Sequence, residues 1–462
     1  MLLGLVIRLL WLGGKSLWLD EVFSLRTAQL GQKLLWTGQR DIYYPPLFYL
    51  LLEAWSGVGK SEFILRLPVA VFGAACVLLV YALATELADS KVALSVAGLV
   101  AFSPLLVWYS QELRSYSILA ALSLASTWSC VRLLKRPSWA WWMASVLFMS
   151  AALYLHYFAA LLVLLQATIA IVLLADRRTN WLRIGTWLTA PLAVILAYWP
   201  WLKTPAFSEL IRSAPSTYNN LLSLAGERFN ITLNLPVIVR LVLVAGIALT
   251  VVGGLTLYFI TRRVTLTHAL ESLRKQRWLS FAACLLFIVL LALSVYPRGY
   301  SLKRQVVFLW PFALMVFAWL WPWGGKDQRL LVVVLGFSLI ASLINVLVIP
   351  KDQWRETVDQ LGERYQQGDL VVIEPNYLTI PFDYYDRRHL PRLGVPFGDT
   401  KPVGEVLCHH PRVWLVLHRV DRDPQARLEE WLGQRATRLD VADYYGIQVE
   451  LFQVSSPCAV GG

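Results

Sequence analysis

Charge is scarce in this chain. Asp, Glu, Lys and Arg make up 16% of its 462 residues, while hydrophobic residues make up 57%. A soluble domain carries about 25% charged residues, so a soluble enzyme is excluded, and a mean hydropathy of +0.55 points to a polytopic membrane protein. Cysteine is rare, with five residues, and histidine numbers six; no Cys/His spacing resembles a zinc site. Cys76, Cys130 and Cys284 lie in apolar stretches and read as small buried hydrophobes. Cys408 and Cys458 lie in a polar tail and can pair if that tail faces an oxidising compartment. There is no internal repeat and no low-complexity segment. The first apolar run leads into Trp18-Leu19-Asp20-Glu21 without a small-residue cleavage site, so no cleavable signal peptide is expected.

What is present is an uneven distribution of the few charges. The chain carries +12 overall, which by itself would suit a nucleic-acid partner. From Lys351 onward, however, 13 Lys+Arg face 17 Asp+Glu, a net of −4, which leaves +16 for residues 1–350. That excess sits in short loops between apolar segments, the pattern of positive-inside topology, and no nucleic-acid partner is expected. Apolar spans are read at 62–85, 92–109, 115–131, 139–155, 158–175, 183–202, 236–260, 278–296, 305–323 and 330–349. With a short first run at 2–12, interrupted by Arg8, they make about 11 transmembrane helices. Arg132/Lys135/Arg136, Arg177/Arg178/Arg183 and Arg262/Arg263 with Arg274/Lys275/Arg277 fall on alternate connections, which assigns that side to the cytoplasm.

The expected fold is therefore an all-α polytopic membrane domain over 1–350, followed at 351–462 by a small α/β domain outside the membrane. In the tail, 353–366 and 423–435 read as helices, and 369–374, 412–418 and 448–454 as strands. Trp354-Arg355 reads as the start of the first tail helix, docking it on the membrane domain. The expected location is the inner (plasma) membrane, multi-pass, with the 13–60 loop and the tail extracytoplasmic.

Every polar outlier that suggests chemistry falls on that outer side. Asp20 and Glu21 follow the first run at the membrane boundary. A carboxylate near low-dielectric surroundings has a raised pKa and can take a proton from a hydroxyl; it can equally bind a divalent cation, or simply cap a surface helix. Trp108-Tyr109-Ser110-Gln111-Glu112-Leu113-Arg114-Ser115-Tyr116 crowds a carboxylate, an amide, a guanidinium and two phenols between two spans. The planar fork of Arg114 suits a phosphate, although a snorkelling Arg among interfacial tyrosines gives a similar pattern. His156-Tyr157 interrupts an apolar stretch, where a hydrogen-bonded structural His is the plainer reading. Arg66 lies inside its span, where charges usually face the bundle interior. Arg298, Lys303 and Arg304 make the outer side locally basic against the topology trend, as an anionic ligand would require. Tyr43 and Tyr44 before Pro45-Pro46 give a rigid aromatic turn suited to a sugar ring, and common in structural turns as well.

Leu19-Asp20-Glu21, Pro45-Pro46-Leu47-Phe48-Tyr49, Arg66-Leu67-Pro68, Tyr109 to Tyr116 and His156-Tyr157 occur in an order and at spacings that resemble the bacterial branch of glycosyltransferase family 39. That branch is related to protein O-mannosyltransferases and to the aminoarabinose transferases of lipid A. The resemblance covers most of residues 1–200 and is specific as a set. It implies a GT-C membrane fold that passes a sugar from a polyprenyl-phosphate donor, with inversion, to a lipid, glycan or protein acceptor on the extracytoplasmic face. Carried over, Asp20 matches the catalytic base and Glu21 its neighbour, and Glu112 with Arg114 matches the second polar cluster. Arg114, Arg304 and Arg298 would bind the donor phosphate, and Tyr43, Tyr44, Arg66, Gln111, Glu112, Tyr116, His156 and Tyr157 would line the substrate. No metal site is assigned; a divalent metal held by Asp20 or Glu112 stays open. One departure is Tyr44, where the family often has His before the double proline. A lipid-linked sugar transporter or flippase would need polar residues near the bilayer midplane and related halves, and neither is found. A polymerase or ligase using a diphosphate-linked chain is disfavoured by the motif order, and a purely structural membrane protein has no use for the outer charges.

Overall fold

The computed structural model describes residues 1–30, 45–174, 181–208, 304, 306–321, 325–418 and 422–454. The described chain is mostly helical with one small sheet, and it divides into two compact units. The first comprises Met1–Leu10, Leu30–Trp55 and Arg66–Val346; the second gathers Trp11–Gln29, Ser56–Leu65 and Leu347–Gly462.

Three helices that lie mainly in the first unit, Glu62–Leu87, Tyr116–Lys135 and Gln328–Leu347, are long and apolar enough to cross a membrane. Shorter apolar helices occupy Leu47–Ser56, Ser90–Phe102, Trp139–Leu155, Tyr157–Ala170 and Val307–Leu320. The expected spans 236–260 and 278–296 lie outside the described residues. The first apolar run forms only an eight-residue helix, α1 (Leu2–Leu9). The expected span 92–109 is broken into Ser90–Phe102 and Pro104–Tyr109. Ser103 is extended there, its hydroxyl accepts the Leu106 N–H, and Pro104 at the first helical position has no N–H to continue the preceding ladder. At the other end of the spans, Glu86 pairs with Arg132 and Lys135, both at 3.1 Å.

The tail portion of the second unit is a five-stranded sheet in the order β2-β1-β3-β5-β4. Its strands are β1 (Leu370–Glu374), β2 (Arg392–Gly394), β3 (Arg412–His418), β4 (Ala436–Tyr444) and β5 (Ile447–Val454). β1 is parallel to β2 and β3, and β5 is antiparallel to β3 and β4. The run Leu370-Val371-Val372-Ile373 is apolar at every position because both faces of β1 are covered. Val371 and Ile373 pack with Trp354, Val358 and Phe382 on one face. Leu370 and Val372 pack with Val403, Leu428 and Leu432 on the other. The β4–β5 hairpin turns at Tyr445-Gly446, where φ of +80° at Gly446 requires glycine. Asp369 anchors the start of β1. Its carboxylate accepts the Gln366 N–H at 3.0 Å, Arg412 Nε and one terminal nitrogen of Arg412 at 2.8 and 2.5 Å, and the Trp414 indole N–H at 2.8 Å.

Candidate active site

In the first unit, the turn from Ser110 to Ser115 joins the helices Pro104–Tyr109 and Tyr116–Lys135. It is fixed from below by Arg8, a wholly buried guanidinium in α1. Arg8 Nε donates to Ser110 Oγ at 3.1 Å, and its terminal nitrogens donate to the carbonyls of Gly4, Ala101 and Val100 at 2.8, 3.0 and 3.1 Å. These bonds satisfy a charge that apolar surroundings would otherwise make costly. Gly73 makes the close approach possible: a Cβ there would fall 2.0 Å from Ser110 Oγ. Gln111 is buried, and its amide donates to the carbonyls of Arg8 and Leu10 at 3.1 and 2.7 Å. It thereby closes the C-terminal end of α1, where carbonyls lack helical partners.

Above this base the turn presents its functional groups. Glu112 is buried, and its Oε1 accepts the Trp108 indole N–H at 2.8 Å, which fixes the carboxylate's orientation. Arg114 is partly exposed, with its guanidinium carbon 5.9 Å from the centre of the Tyr116 ring. Tyr116 meets Tyr109 edge to face at 5.2 Å, and Arg304 hydrogen-bonds the Tyr109 hydroxyl. Two expected donor-phosphate cations, Arg114 and Arg304, are thus linked through one pair of phenols; the third, Arg298, lies outside the described residues.

His156 ends the helix Trp139–Leu155 in an extended conformation, and its Nδ1 accepts the Phe158 N–H at 3.1 Å. With Nδ1 so engaged, the neutral ring carries its proton on Nε2. His156 and Arg114 line one small recess, completed by Phe48, Tyr49, Ser115, Tyr116 and Leu155. A cation, a phenol and an imidazole beside apolar rings can bind an anionic headgroup next to a flat apolar sugar face. The Tyr157 ring lies tilted against His156, centres 4.7 Å apart, and Arg66 is buried in this unit. Tyr43 and Tyr44 lie outside the described residues.

Asp20 and Glu21 belong to the second unit, in the first turn of helix α2 (Leu19–Gln29). Their environments differ. Asp20 is partly exposed, whereas Glu21 is fully buried, with Oε1 3.6 Å from Lys351 Nζ and Oε2 accepting the Trp18 N–H at 3.3 Å. Asp20 keeps solvent access; Glu21 is committed to an interior ion pair and to the helix start. Among the described residues no group of three His, Cys, Asp or Glu side chains could hold a metal ion together.

Sequence reasoning did not single out Arg8, Phe48, Tyr49 or Lys351 as contributors. Arg8 was visible as a charge in an apolar run, and Phe48-Tyr49 as part of the double-proline motif. Lys351 carried no local signal, since its role depends on pairing with Glu21, 330 positions away.

No curated protein matches the chain. Residues 44–202 match the family described as dolichyl-phosphate-mannose-protein mannosyltransferase. Among solved structures, ArnT from Cupriavidus metallidurans in the apo state is 14% identical with a TM-score of 0.50, and the match covers 97% of this chain and 96% of that one. The same protein bound to undecaprenyl phosphate is 13% identical with a TM-score of 0.51, covering 99% and 98%. The archaeal oligosaccharyltransferase AglB from Archaeoglobus fulgidus, in complex with an inhibitory peptide and a dolichol-phosphate, is 12% identical with a TM-score of 0.50, covering 94% and 70%. At these identities the likeness is one of fold, and it spans nearly the whole chain. The chain is thus similar to the mannosyltransferase family over the segment that holds the Arg66, Tyr109–Tyr116 and His156 motifs, and similar in fold to ArnT over nearly its whole length.

Proposed function

We propose that the protein is a membrane glycosyltransferase that moves a sugar from a polyprenyl-phosphate donor to an acceptor hydroxyl on the extracytoplasmic face, with inversion. The observation that carries this reading is the recess in which Arg114, Tyr116 and His156 stand beside Phe48 and Tyr49, inside the segment that matches the mannosyltransferase family. Two relatives in fold were captured with undecaprenyl phosphate and with a dolichol-phosphate, which supports a polyprenyl-linked donor.

In this mechanism Arg114 and Arg304 hold the donor phosphate, their charge stabilising it as the C1–O bond to the sugar breaks. Asp20 takes the proton of the acceptor hydroxyl, whose oxygen attacks the anomeric carbon from the face opposite the phosphate. The products are the inverted glycoside and the polyprenyl phosphate, with the proton left on Asp20. His156, through Nε2–H, and Glu112, held by Trp108, orient sugar hydroxyls. Glu21 keeps the helix of Asp20 in place and takes no proton. The extracytoplasmic placement is supported by the basic loops of the opposite side and by Cys408, which is disulfide-bonded, as an oxidising compartment permits.

The test is a panel of radiolabelled polyprenyl-phosphate sugars offered to the purified protein in nanodiscs, with and without EDTA. Release or transfer of sugar from at least one donor is expected, and the EDTA arm reads any divalent-ion requirement directly. No turnover of any donor, together with donor movement between leaflets of proteoliposomes, would replace this reading by a flippase.

A further inference from the structure

The second unit is assembled from three stretches far apart in sequence, and their junction surrounds the helix that carries Asp20. Tyr385 stands at that junction. Its hydroxyl accepts the Leu17 N–H at 2.6 Å and donates to Glu62 Oε1 at 3.2 Å. The same Glu62 oxygen pairs with Arg355 at 2.9 Å, and the other terminal nitrogen of Arg355 reaches the Gly14 carbonyl at 3.1 Å. Ser16 Oγ lies 2.8 Å from the Asp352 carbonyl oxygen. Leu19 packs against the tail core around Trp354 and Phe382. Glu21 closes the set through Lys351. Residues 14, 16, 17, 19 and 21 are thus each held by the tail, and Asp20 sits among them.

An eleven-residue helix is marginal alone, and α2 has mixed polarity, so what it docks on sets where its side chains stand. The Glu21–Lys351 pair is the least forgiving contact. Both side chains are buried, at 0% and 5% exposure, so removing either partner breaks an ion pair shielded from water, where it is most costly to lose. We propose that the C-terminal domain is the positioning frame of the Asp20 helix, with Lys351 and Tyr385 as positioning residues that set the carboxylate's location. This rests on reading Asp20 as the base. The tail then serves the transfer step itself, and loosening it lowers turnover without touching the donor recess.

Hydrogen–deuterium exchange of the full-length protein in nanodiscs tests the frame without any ligand. Exchange over residues 14–26 should rise about tenfold in Tyr385→Phe and in Lys351→Met, while residues 116–135 keep parent rates. Lys351→Arg, which retains the charge, should match the parent. With the polyprenyl-phosphate sugar that the donor panel identifies, kcat per folded molecule should fall about tenfold or more in Tyr385→Phe and Lys351→Met, with KM for the donor within about twofold. The double variant Glu21→Gln/Lys351→Met, which neutralises both members of the pair, should recover part of that loss. Unchanged exchange, or unchanged kcat, in the folded variants overturns the proposal; Tyr385→Phe decides if Lys351→Met does not fold. Asp20→Asn runs beside them. Parent-level turnover in that variant removes the base assignment, whereas an inactive Asp20→Asn with unaltered Tyr385→Phe removes the frame alone.

Discussion

Replacing Gly73 with alanine should loosen the whole base of the candidate recess. The added Cβ would lie 2.0 Å from Ser110 Oγ, 2.7 Å from Ser110 Cβ and 3.2 Å from Arg8 Nε. No rotamer of Ser110 relieves the contact with its own Cβ, so the turn must shift. Overpacking of this kind costs about 1–3 kcal/mol. Displacing Ser110 also strains its bonds to Arg8 Nε and to the Leu106 carbonyl, adding about 1–3 kcal/mol. A total of about 2–6 kcal/mol should lower the apparent melting point of the protein in nanodiscs by on the order of 5 °C. The companion variant Gly73→Ala/Ser110→Gly removes both offending atoms and should recover the overpacking part, leaving only the lost hydroxyl bonds. Midpoints equal to the parent for Gly73→Ala would refute the packing of α1 and the helix Glu62–Leu87 around the Ser110 turn.

Three further outcomes follow from the second unit. Asp369 has its pKa lowered: burial alone would raise it, but hydrogen bonds from Arg412, Gln366 and Trp414 outweigh that. Its stabilisation is therefore full above the ordinary value of 3.8 and is lost as pH falls through the lower folded value, so Asp369→Asn should flatten the acid limb of a midpoint-against-pH curve. Glu374 behaves oppositely, because burial, opposed by the Gly398 N–H, pushes its carboxyl from 4.5 up to about 7. Stability is lost as pH rises from the unfolded value through the folded one, by up to about 3 kcal/mol, so Glu374→Gln should raise the midpoint at pH 8 and leave it unchanged at pH 4. Cys408, being disulfide-bonded, should react with a membrane-impermeant maleimide only after reduction of intact cells; labelling without reductant would remove the oxidising-side argument.

Much of the helical unit was legible because hydropathy reports burial in lipid directly. The starts and stops came from local chemistry, as at Ser103-Pro104, where a span by composition becomes two helices by backbone geometry. In the tail, the buried strands Leu370–Glu374 and Arg412–His418 announced themselves as apolar runs. Arg392–Gly394 is only three residues long, and Ala436–Tyr444 is an edge strand with alternately exposed positions and a register shift between Arg438 and Asp440, so neither offered a clear period. At the candidate site, residue types drew attention to the turn at 110–115 but did not show what each residue contacts. Gln111 is spent on the end of α1 and Glu21 on Lys351, commitments that depend on partners about 100 and 330 positions away. Pairings over such distances leave no trace in local spacing.

The most direct measurement is turnover and donor binding by Asp20→Asn, set against Arg114→Ala, using the labelled polyprenyl-phosphate sugar that the parent consumes. Asp20→Asn should bind donor with parent affinity and lose turnover by about 10³-fold, while Arg114→Ala should bind donor at least about tenfold more weakly. Parent-level turnover by Asp20→Asn, or parent-level donor affinity in Arg114→Ala, would contradict the assignment of base and phosphate site.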